Sequence, residues 1–539
     1  MTRPPIEVKV QLYDPTRDSK PEYETYNVPY VEGMRVLDAL HYIHDHYNSS
    51  MAYRWECRAG QCGSCAMMIN GEAGLACQTN IPLGAQEITV APLSIFPVIR
   101  DLVVDVEKGV NKVLKIRPYV QTASSVKRPQ LIYPHEIEDV KPLKECVECW
   151  ACVSMCPVVQ AAWDTYGGPV VMGHLARLSY DKRNVFDHLS LAFLEGLNAC
   201  TQCGNCKEVC AKEIDIPEKA VGKVRYLAYN KRSLLREGHQ FVLNSLKMHA
   251  NPLDEFSNTR ANWASDLQIP MGKREAEILY FVGCMASWRE QSVARSTAKL
   301  LSMAGADFTI LGPAEKDCGS VLFRINDLEL AREFALYMKD KVRENKYKMI
   351  VTSCAGCFRT FRKDYPERLG IELGIPVRHS SEVFAEYIRN GMLIAKNPVQ
   401  IKATYHDPCH LGRHLGVYDQ PRQIAKELKV ALHEMLNNRY KENARCCGAG
   451  GGVRSAYREV ARDVAAYRIE VDVPKEAKAI IHTCPFCYFN FEDAVETRKF
   501  LVKNVDLTEL LLMSVIGSES KKTIGDRRYD LISALAEKK

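Results

Sequence analysis

Alternation of apolar and polar residues opens the chain and predicts a β-strand. Every second residue from Ile6 to Leu12 is apolar, which is the period of a half-buried strand. A second strand is predicted in YNVPYV, and the stretch MRVLDALHYIHDHY has apolar residues at helical spacing. These elements predict a small sheet that packs against one helix near the start of the chain.

From about residue 275 onward, short apolar runs alternate with helical stretches. Strands are predicted in EILYFVG, KMIVTS, QIKATY and KAIIHT, and helices in SVARSTAKLLSMAG and YREVARDVAAYRIE. Strands that alternate with helices are typical of a parallel α/β sheet. Because the same order of strand and cysteine motif occurs twice, we interpret residues 275–515 as an internal duplication.

Charge and hydropathy argue against several classes of protein. The net charge is +6, and without a basic tract it does not favour nucleic-acid binding. We find no signal peptide and no apolar run long enough for a membrane helix, so we expect a cytoplasmic protein without a transmembrane segment. The unusual feature is the 21 cysteines, which a long chain of this kind uses for metals rather than disulfides.

Two cysteine runs, in KECVECWACVSMCP and CTQCGNCKEVC, have the spacing C-x2-C-x2-C-x3-C of bacterial ferredoxins. In that arrangement the fourth cysteine of each run binds the cluster of the other run. Zinc sites favour two separated CxxC pairs instead. We therefore predict two cubane [4Fe–4S] clusters, one held by Cys146, Cys149, Cys152 and Cys210, and the other by Cys156, Cys200, Cys203 and Cys206.

A third group of cysteines follows the first predicted helix with the spacing C-x4-C-x2-C-x11-C. Its first three members match the plant-type [2Fe–2S] loop, in which Gly60 and Gly63 let backbone amides approach the sulfurs. Four thiolates would also suit zinc, but the long loop beside a hairpin and helix favours iron–sulfur. The predicted [2Fe–2S] ligands are Cys57, Cys62, Cys65 and Cys77.

The order of these motifs, joined by FPVIRDLVVD, resembles the iron–sulfur subunit of succinate dehydrogenase and fumarate reductase. The resemblance covers about residues 5–235. It implies a β-grasp domain, an α-helical ferredoxin domain and an FAD-containing flavoprotein partner that docks at the [2Fe–2S] end. Cys203 departs from many members of that family, which hold a [3Fe–4S] cluster beside a quinone site. A fourth thiolate at this position favours a [4Fe–4S] cluster and argues against a quinone.

The second copy of the duplication has the spacing C-x36-CC-x36-CxxC. It resembles the CCG domain found in the B subunit of heterodisulfide reductase, and the resemblance implies a noncubane [4Fe–4S] cluster. Five thiolates exceed the four that zinc takes, whereas they can bridge irons in an open cluster. The predicted ligands, which are also the candidate catalytic residues, are Cys409, Cys446, Cys447, Cys484 and Cys487.

The first copy differs because Asp317 stands where the first cysteine of the pair belongs. Three interpretations remain open for it: a noncubane cluster with an altered ligand, a four-cysteine zinc site, or a cubane, with iron–sulfur favoured because the repeat is otherwise intact. The candidate ligands are Cys284, Cys318, Cys354 and Cys357.

Histidines and glycines accompany the cysteines of the second copy. His406 and His410 flank Cys409, and His482 precedes a CxxC pair. We include His410 as a candidate catalytic proton acceptor, although these histidines could equally cap strand ends or donate to a cluster sulfur. The glycines after Cys447 lack the G-x-G-x-x-G spacing of a dinucleotide loop, so we expect them to let the backbone approach a cluster.

The combined chain resembles the B subunit of the thiol:fumarate reductases of methanogenic archaea. The resemblance implies an oxidoreductase subunit that oxidises coenzyme M and coenzyme B thiols at the CCG domain and passes electrons to a flavoprotein that reduces fumarate. Two alternatives are a quinone or other membrane donor, and a zinc-held docking module.

The fold class is multidomain α+β and α/β, with segments 1–105 ([2Fe–2S] domain), 106–250 (helical ferredoxin domain), 275–400 and 401–515 (CCG repeats) and 516–539 (charged tail, more consistent with a solvated segment).

Overall fold

The computed structural model describes residues 5–125 and 129–536. The chain divides into two compact units, Met1–Leu234 and Leu235–Lys539. Residues 235–250 therefore group with the repeats, whereas the sequence placed them with the ferredoxin domain. Residues 1–4 of the first predicted segment, 126–128 of the second and 537–539 of the tail lie outside the described residues.

The first unit contains a five-stranded mixed sheet and a two-stranded ribbon. Its strands are β1 (Ile6–Leu12), β2 (Glu22–Val28), β3 (Ala66–Ile69), β4 (Glu72–Leu75), β5 (Glu87–Ala91), β6 (Val98–Arg100) and β7 (Val103–Val104). The sheet order is β2-β1-β5-β3-β4, in which β1 runs parallel to β5 and antiparallel to β2. The alternation in β1 is confirmed, since Ile6, Val8 and Val10 are buried. Strand β2 ends just before Pro29, which has no amide for the ladder.

The rest of the first unit is helical, and most of its helices are short because cysteine loops interrupt them. The α-helices are α1 (Val36–His46), α2 (Glu107–Lys115), α3 (Lys141–Lys144), α4 (Ala151–Ser154), α5 (Pro157–Ala162), α6 (Pro169–Tyr180), α7 (His188–Leu194), α8 (Asn205–Glu208) and α9 (Lys223–Arg232). A π-helical turn, Ile216–Gly222, leads into α9, and 3₁₀ turns form at Pro134–Glu136 and Leu197–Ala199. Helix α1 buries one face, including Leu40 and Ile43, against the five-stranded sheet.

The second unit contains two four-stranded parallel sheets. The first has β8 (Ile278–Phe281), β9 (Phe308–Thr309), β10 (Met349–Thr352) and β11 (Val377–His379), and the second has β12 (Lys402–Tyr405), β13 (Ala431–Leu432), β14 (Ala479–His482) and β15 (Lys503–Asp506). The orders are β11-β10-β8-β9 and β13-β12-β14-β15. Read from opposite edges, these are the same topology, so the duplicated α/β fold is confirmed.

Helices cover both sheets and join them through one hydrophobic core. They are α10 (Glu237–His249), α11 (Cys284–Trp288), α12 (Gln291–Met303), α13 (Ser320–Ile325), α14 (Leu328–Asn345), α15 (Ala355–Arg359), α16 (Ser380–Arg389), α17 (Asp419–Glu427), α18 (Val453–Ala456), α19 (Arg458–Asp472), α20 (Pro485–Arg498), α21 (Leu507–Ile516), α22 (Lys521–Ile524) and α23 (Asp526–Leu535). Thr360–Leu369 is π-helical, and 3₁₀ turns form at Ser257–Thr259, Asn262–Ala264, Gly312–Ala314, Lys441–Asn443 and Gly517–Ser520. The core contains buried residues of both repeats, such as Leu301 and Leu510.

The segment after residue 516 differs from the solvated tail that its charge favoured. Helices α22 and α23 bury Ile524 and Ile532 in the core of the second unit. The guanidinium of Arg528 donates to the buried carboxylate of Glu509 at 2.8 Å. A few apolar residues at helical spacing therefore outweigh the many charges around them. No helix in the described part of the chain is long and apolar enough to span a bilayer.

Candidate iron–sulfur sites and the cysteine cavity

The loop between α1 and β3 aims backbone amides at a thiol. The Sγ atom of Cys57 accepts hydrogen bonds from the amides of Ala59, Gln61 and Cys62 at 3.3–3.4 Å. These bonds lower the pKa of Cys57 to about 6, whereas burial raises the pKa of Cys65 to about 12. Thiol contacts pair the four predicted ligands as Cys57 with Cys62 and Cys65 with Cys77. A charged sulfur centre would gain stabilisation from these amides.

Gly63 brings this loop against the first ferredoxin run. Its φ is +74°, and a Cβ there would lie 2.7 Å from the carbonyl oxygen of Val147 and 3.1 Å from the Cα of Cys149. Only glycine tolerates both the backbone conformation and the contact. The predicted [2Fe–2S] loop and the first cubane run are therefore in direct contact, which the sequence pattern alone did not indicate.

The structure gathers the cysteines of the two runs into two groups. Burial raises the pKa of Cys152, and the neighbouring thiols of Cys149, Cys146 and Cys210 raise it further. In the other group, burial raises the pKa of Cys156, with smaller contributions from Cys203 and Cys200, and Cys206 lies beside the same thiols. The fourth cysteine of each run thus lies with the first three of the other run. Their binding of clusters stays a prediction.

Two buried side chains outside the cysteine motifs, those of Tyr166 and Arg225, lie beside the second group of cysteines. The hydroxyl of Tyr166 lies in hydrogen-bonding contact with the Cys200 thiol. The guanidinium of Arg225 donates to the carbonyl oxygens of Leu197 and Cys200 at 2.9 and 2.8 Å. The positive charge of Arg225 favours the thiolate of Cys200 and partly offsets the effect of burial, which raises the pKa of that thiol.

In the second unit, all nine cysteines line one cavity of about 390 Å³. Each CxxC pair lies just beyond the carboxyl end of a strand, where open α/β sheets place their sites. Cys284 begins α11, and Cys354 and Cys484 precede the first residues of α15 and α20. The sequence predicted one site in each repeat, and the structure places both sets of cysteines on the same cavity.

Thiol contacts run continuously across the two repeats. The contacts are Cys318–Cys357, Cys357–Cys354, Cys354–Cys484, Cys484–Cys487, Cys487–Cys447 and Cys447–Cys446. The link between the repeats is Cys354 with Cys484. Hydrogen bonds from Cys446 and Cys487 lower the pKa of Cys447, so a thiolate is favoured within this chain of contacts.

A buried ion pair fixes the loop that leads into Cys284. Arg260 donates twice to Glu315, with Nη2–Oε1 at 2.7 Å and Nε–Oε1 at 3.1 Å, and both side chains are almost fully buried. Glu315 also accepts from the amides of Val282 and Gly283 at 3.0 and 2.9 Å. Sequence reasoning missed this pair because its members lie in segments without a motif.

The histidines near the cavity have different surroundings. A ring nitrogen of His406 and the sulfurs of Cys447 and Cys487 all lie within 4.8 Å of one another. His410 lines the cavity, and burial lowers the pKa of both rings well below the usual value, so they are neutral. His482 instead pairs with Asn504, with Nε2–Oδ1 at 2.9 Å. The sequence placed His406 near Cys409, and the structure also places its ring beside Cys447 and Cys487.

The glycines after Cys447 permit close backbone contacts. Gly448 has φ +94°, and a Cβ there would lie 2.3 Å from the carbonyl oxygen of Ala461. A Cβ at Gly452 would lie 2.8 Å from the ring of His239 on α10. Converging thiols, an amide directed at the Cys446 sulfur and a backbone free of side chains together suit iron–sulfur clusters held by thiolates.

Three known domain families match the chain: a 2Fe-2S iron-sulfur cluster binding domain at residues 7–111, a 4Fe-4S dicluster domain at 142–214, and a cysteine-rich (CCG) domain at 278–362 and 403–492. The B subunit of the fumarate reductase (CoM/CoB) of Methanothermobacter marburgensis is 34% identical over 94% of this chain and 99% of its own. The D subunit of the dihydromethanophenazine:CoB–CoM heterodisulfide reductase of Methanosarcina mazei is 31% identical over 70% of this chain and 95% of its own. The crystal structure of a hypothetical protein from Helicobacter pylori covers 97% of both chains with a TM-score of 0.64 at 13% identity, which shows a shared fold.

Proposed function

The chain belongs to the family of the fumarate reductase (CoM/CoB) B subunit, and we propose that it oxidises coenzyme M and coenzyme B thiols to their heterodisulfide within a fumarate-reducing complex. The family resemblance drawn from the motifs is thereby confirmed. The chain is an iron–sulfur oxidoreductase subunit of the thiol:fumarate reductase and heterodisulfide reductase type. The identity of the two thiols, the partner and the direction of electron flow are parts of the proposal.

The shared cavity is the observation that carries this proposal. Joining two thiols requires both sulfurs to meet in one enclosed space beside groups that accept electrons. The cavity is bounded by cysteines of both repeats, and its wall combines apolar side chains such as Val242 and Phe486 with Arg324 and Arg454. The apolar part of this wall suits thiols with an apolar stem, whereas Arg324 and Arg454 already form ion pairs with Asp364 and Asp493.

We assign cluster ligands on the predicted spacings. The noncubane cluster of the second repeat would be held by Cys409, Cys446, Cys447, Cys484 and Cys487, and the cluster of the first repeat by Cys284, Cys318, Cys354 and Cys357. The first unit would hold one [2Fe–2S] and two cubane clusters on the ligands given above. When bound, thiolate-held clusters take up electrons one at a time.

The protein supplies a proton acceptor and a closed site for this reaction. Oxidation of two thiols forms one S–S bond and releases two protons and two electrons. The Nε2 atom of His410 is buried at the cavity without a hydrogen-bond partner in the described part of the chain. Burial lowers the pKa of this ring and keeps it neutral, so it can accept a hydrogen bond from an incoming thiol. It receives the proton because the negative charge of the thiolate that forms beside it favours the protonated ring.

The two electrons would leave through the first unit to a separate flavoprotein. We place the reduction of fumarate on FAD in that partner, where two electrons and two protons convert fumarate to succinate. The contact of Gly63 with the first ferredoxin run supports a short path between the [2Fe–2S] loop and a cubane within the unit. The name of the methanogen relative designates it as one subunit of a larger enzyme, which supports the existence of partner subunits.

Low-temperature EPR of the anaerobically purified protein tests the proposal, with iron and zinc assayed on the same sample. We expect a paramagnetic species when the oxidised protein is given coenzyme M or coenzyme B, and ferredoxin-type signals after dithionite reduction. If only ferredoxin-type signals form and zinc is present, the second unit is a docking module and the thiol chemistry is wrong.

A further inference from the structure

Asp317 occupies the position that a cysteine holds in the second repeat. The sequence reads Asp317-Cys318-Gly319 in the first repeat and Cys446-Cys447-Gly448 in the second. Helix α13 begins directly after Gly319 and helix α18 begins five residues after Gly448, and both contribute residues to the wall of the cavity. Asp317 lines that cavity with the nine cysteines. The backbone therefore presents the carboxyl group where its counterpart presents a sulfur.

The two side chains also make the same local hydrogen bond. The amide of Gly319 donates to Oδ1 of Asp317 at 2.8 Å, and the amide of Gly448 donates to Sγ of Cys446 at 3.4 Å. In each repeat the side chain two residues before the glycine accepts the hydrogen bond from the glycine amide. This bond holds the side chain of Asp317 or Cys446 at the cavity. Asp317 thus matches Cys446 in sequence position, in its local hydrogen bond and in lining the cavity.

The surroundings of Asp317 are those of a metal ligand. The residue is only 4% exposed, and its carboxyl group contacts the thiol of Cys284, the first predicted ligand of this repeat. The nearby cation, Arg260, is already bound twice to Glu315. A buried carboxylate beside thiolates is costly unless a cation lies between them.

From these contacts we infer that Asp317 is the fifth protein ligand of an iron–sulfur cluster in the first repeat, binding iron through a carboxylate oxygen. The other ligands are Cys284, Cys318, Cys354 and Cys357. This inference rests on the iron–sulfur cluster that the proposed function assigns to that repeat.

The substitution Asp317→Asn separates a ligand from a purely structural residue. Asparagine keeps the carbonyl oxygen that accepts the Gly319 amide but has no negative charge to offer iron. We expect the reconstituted Asp317→Asn protein to lose about four iron atoms per chain, the content of one cluster. Asp317→Cys, which recreates the pair of the second repeat, should restore the iron with a changed Mössbauer and EPR spectrum.

Asp327→Asn is the matched control, because the carboxyl group of Asp327 also accepts a backbone amide hydrogen bond at the start of a helix and Asp327 is not among the residues that line the cavity. It should keep the wild-type iron content, and the ferredoxin-type EPR signals serve as an internal standard for folding in every variant. Full iron content and an unchanged spectrum in Asp317→Asn would overturn the inference. Zinc in place of iron in the first repeat would also overturn it, as would an Asp317→Cys protein that lacks as much iron as Asp317→Asn. These measurements need no substrate, so their failure is distinct from a failure to oxidise thiols.

Discussion

The two repeats of the second unit share a backbone but differ at the ends of their strands. Both have four parallel strands in the same order and a glycine directly after the cysteine pair position. At three residues before and one residue after the first cysteine, however, the second repeat has His406 and His410 where the first has Phe281 and Met285. Two sheets of the same topology thus differ in the side chains at their strand ends: histidines in the second repeat, and apolar residues together with Asp317 in the first.

The comparison teaches that duplication preserves packing more strictly than chemistry. Residues of both repeats fill one hydrophobic core, so a change of topology in either would disturb the other. Packing constrains the side chains at the cavity less than those in the core, because the cysteines there lie in loops and at the starts of helices. The two repeats therefore share their fold although Asp317 stands in the first where Cys446 stands in the second.

The largest effect should come from removing one cysteine at the centre of each repeat. Cys447→Ser should abolish the thiol-dependent EPR species and lower thiol oxidation by more than about a hundredfold, since loss of even an outer partner of a metal commonly costs ten- to a hundredfold. Cys318→Ser should retain that species but slow turnover by roughly tenfold. Equal loss in both variants would contradict the assignment of the catalytic cysteines to the second repeat.

The glycines that follow the pair offer a smaller, structural contrast. Gly448→Ala places a Cβ 2.3 Å from the carbonyl oxygen of Ala461, whereas Gly319→Ala meets nothing nearer than 3.7 Å. Both substitutions force a non-glycine residue to a positive φ, which costs about 1 kcal/mol, and the clash adds roughly 1–3 kcal/mol in the first case only. Denaturant unfolding under anaerobic conditions should rank Gly448→Ala as clearly less stable; the reverse order would contradict the contact.

The smallest effect concerns a carboxyl group where the repeats meet. Burial raises the pKa of Glu290 to about 8, and the carboxyl groups of Glu509, Glu492 and Asp506 in the second repeat contribute to the shift. Its proton is held more tightly in the folded state, so the associated stability is complete below the unfolded pKa of about 4.3 and is lost as pH rises toward 8. Glu290→Gln should therefore raise the melting temperature at pH 8 by a few degrees, for about 1 kcal/mol.

The pH series carries its own control. The advantage of Glu290→Gln over wild type should shrink as the pH falls from 8 to 5, because the wild-type carboxyl group is then protonated as well. Glu476→Gln, at an exposed position, should show no such trend. A gain that is independent of pH would mean that the effect is one of packing.

Much of the fold followed from local periods in the chain. The alternation from Ile6 to Leu12 and the helical spacing in α12 and α19 are confirmed as a strand and helices, because a half-buried element imposes its period on the residues that form it. The burial of the last helices was misjudged, since Ile532 is buried within a segment whose composition is mostly polar. The overall composition of a segment does not show which of its residues face the core, and packing depends on those individual residues.

By itself, the sequence determined which cysteines belong to which motif, that a unit is used twice, and that Asp317 breaks the pattern. Only the tertiary structure decided that Cys354 meets Cys484, that Asp317 contacts Cys284, and that His406 approaches Cys447. The spacing of residues along the chain predicts only which side chains a single turn or a single strand end brings together. Contacts between segments far apart in the chain depend on which faces of the sheets and helices pack, and no local period encodes that choice.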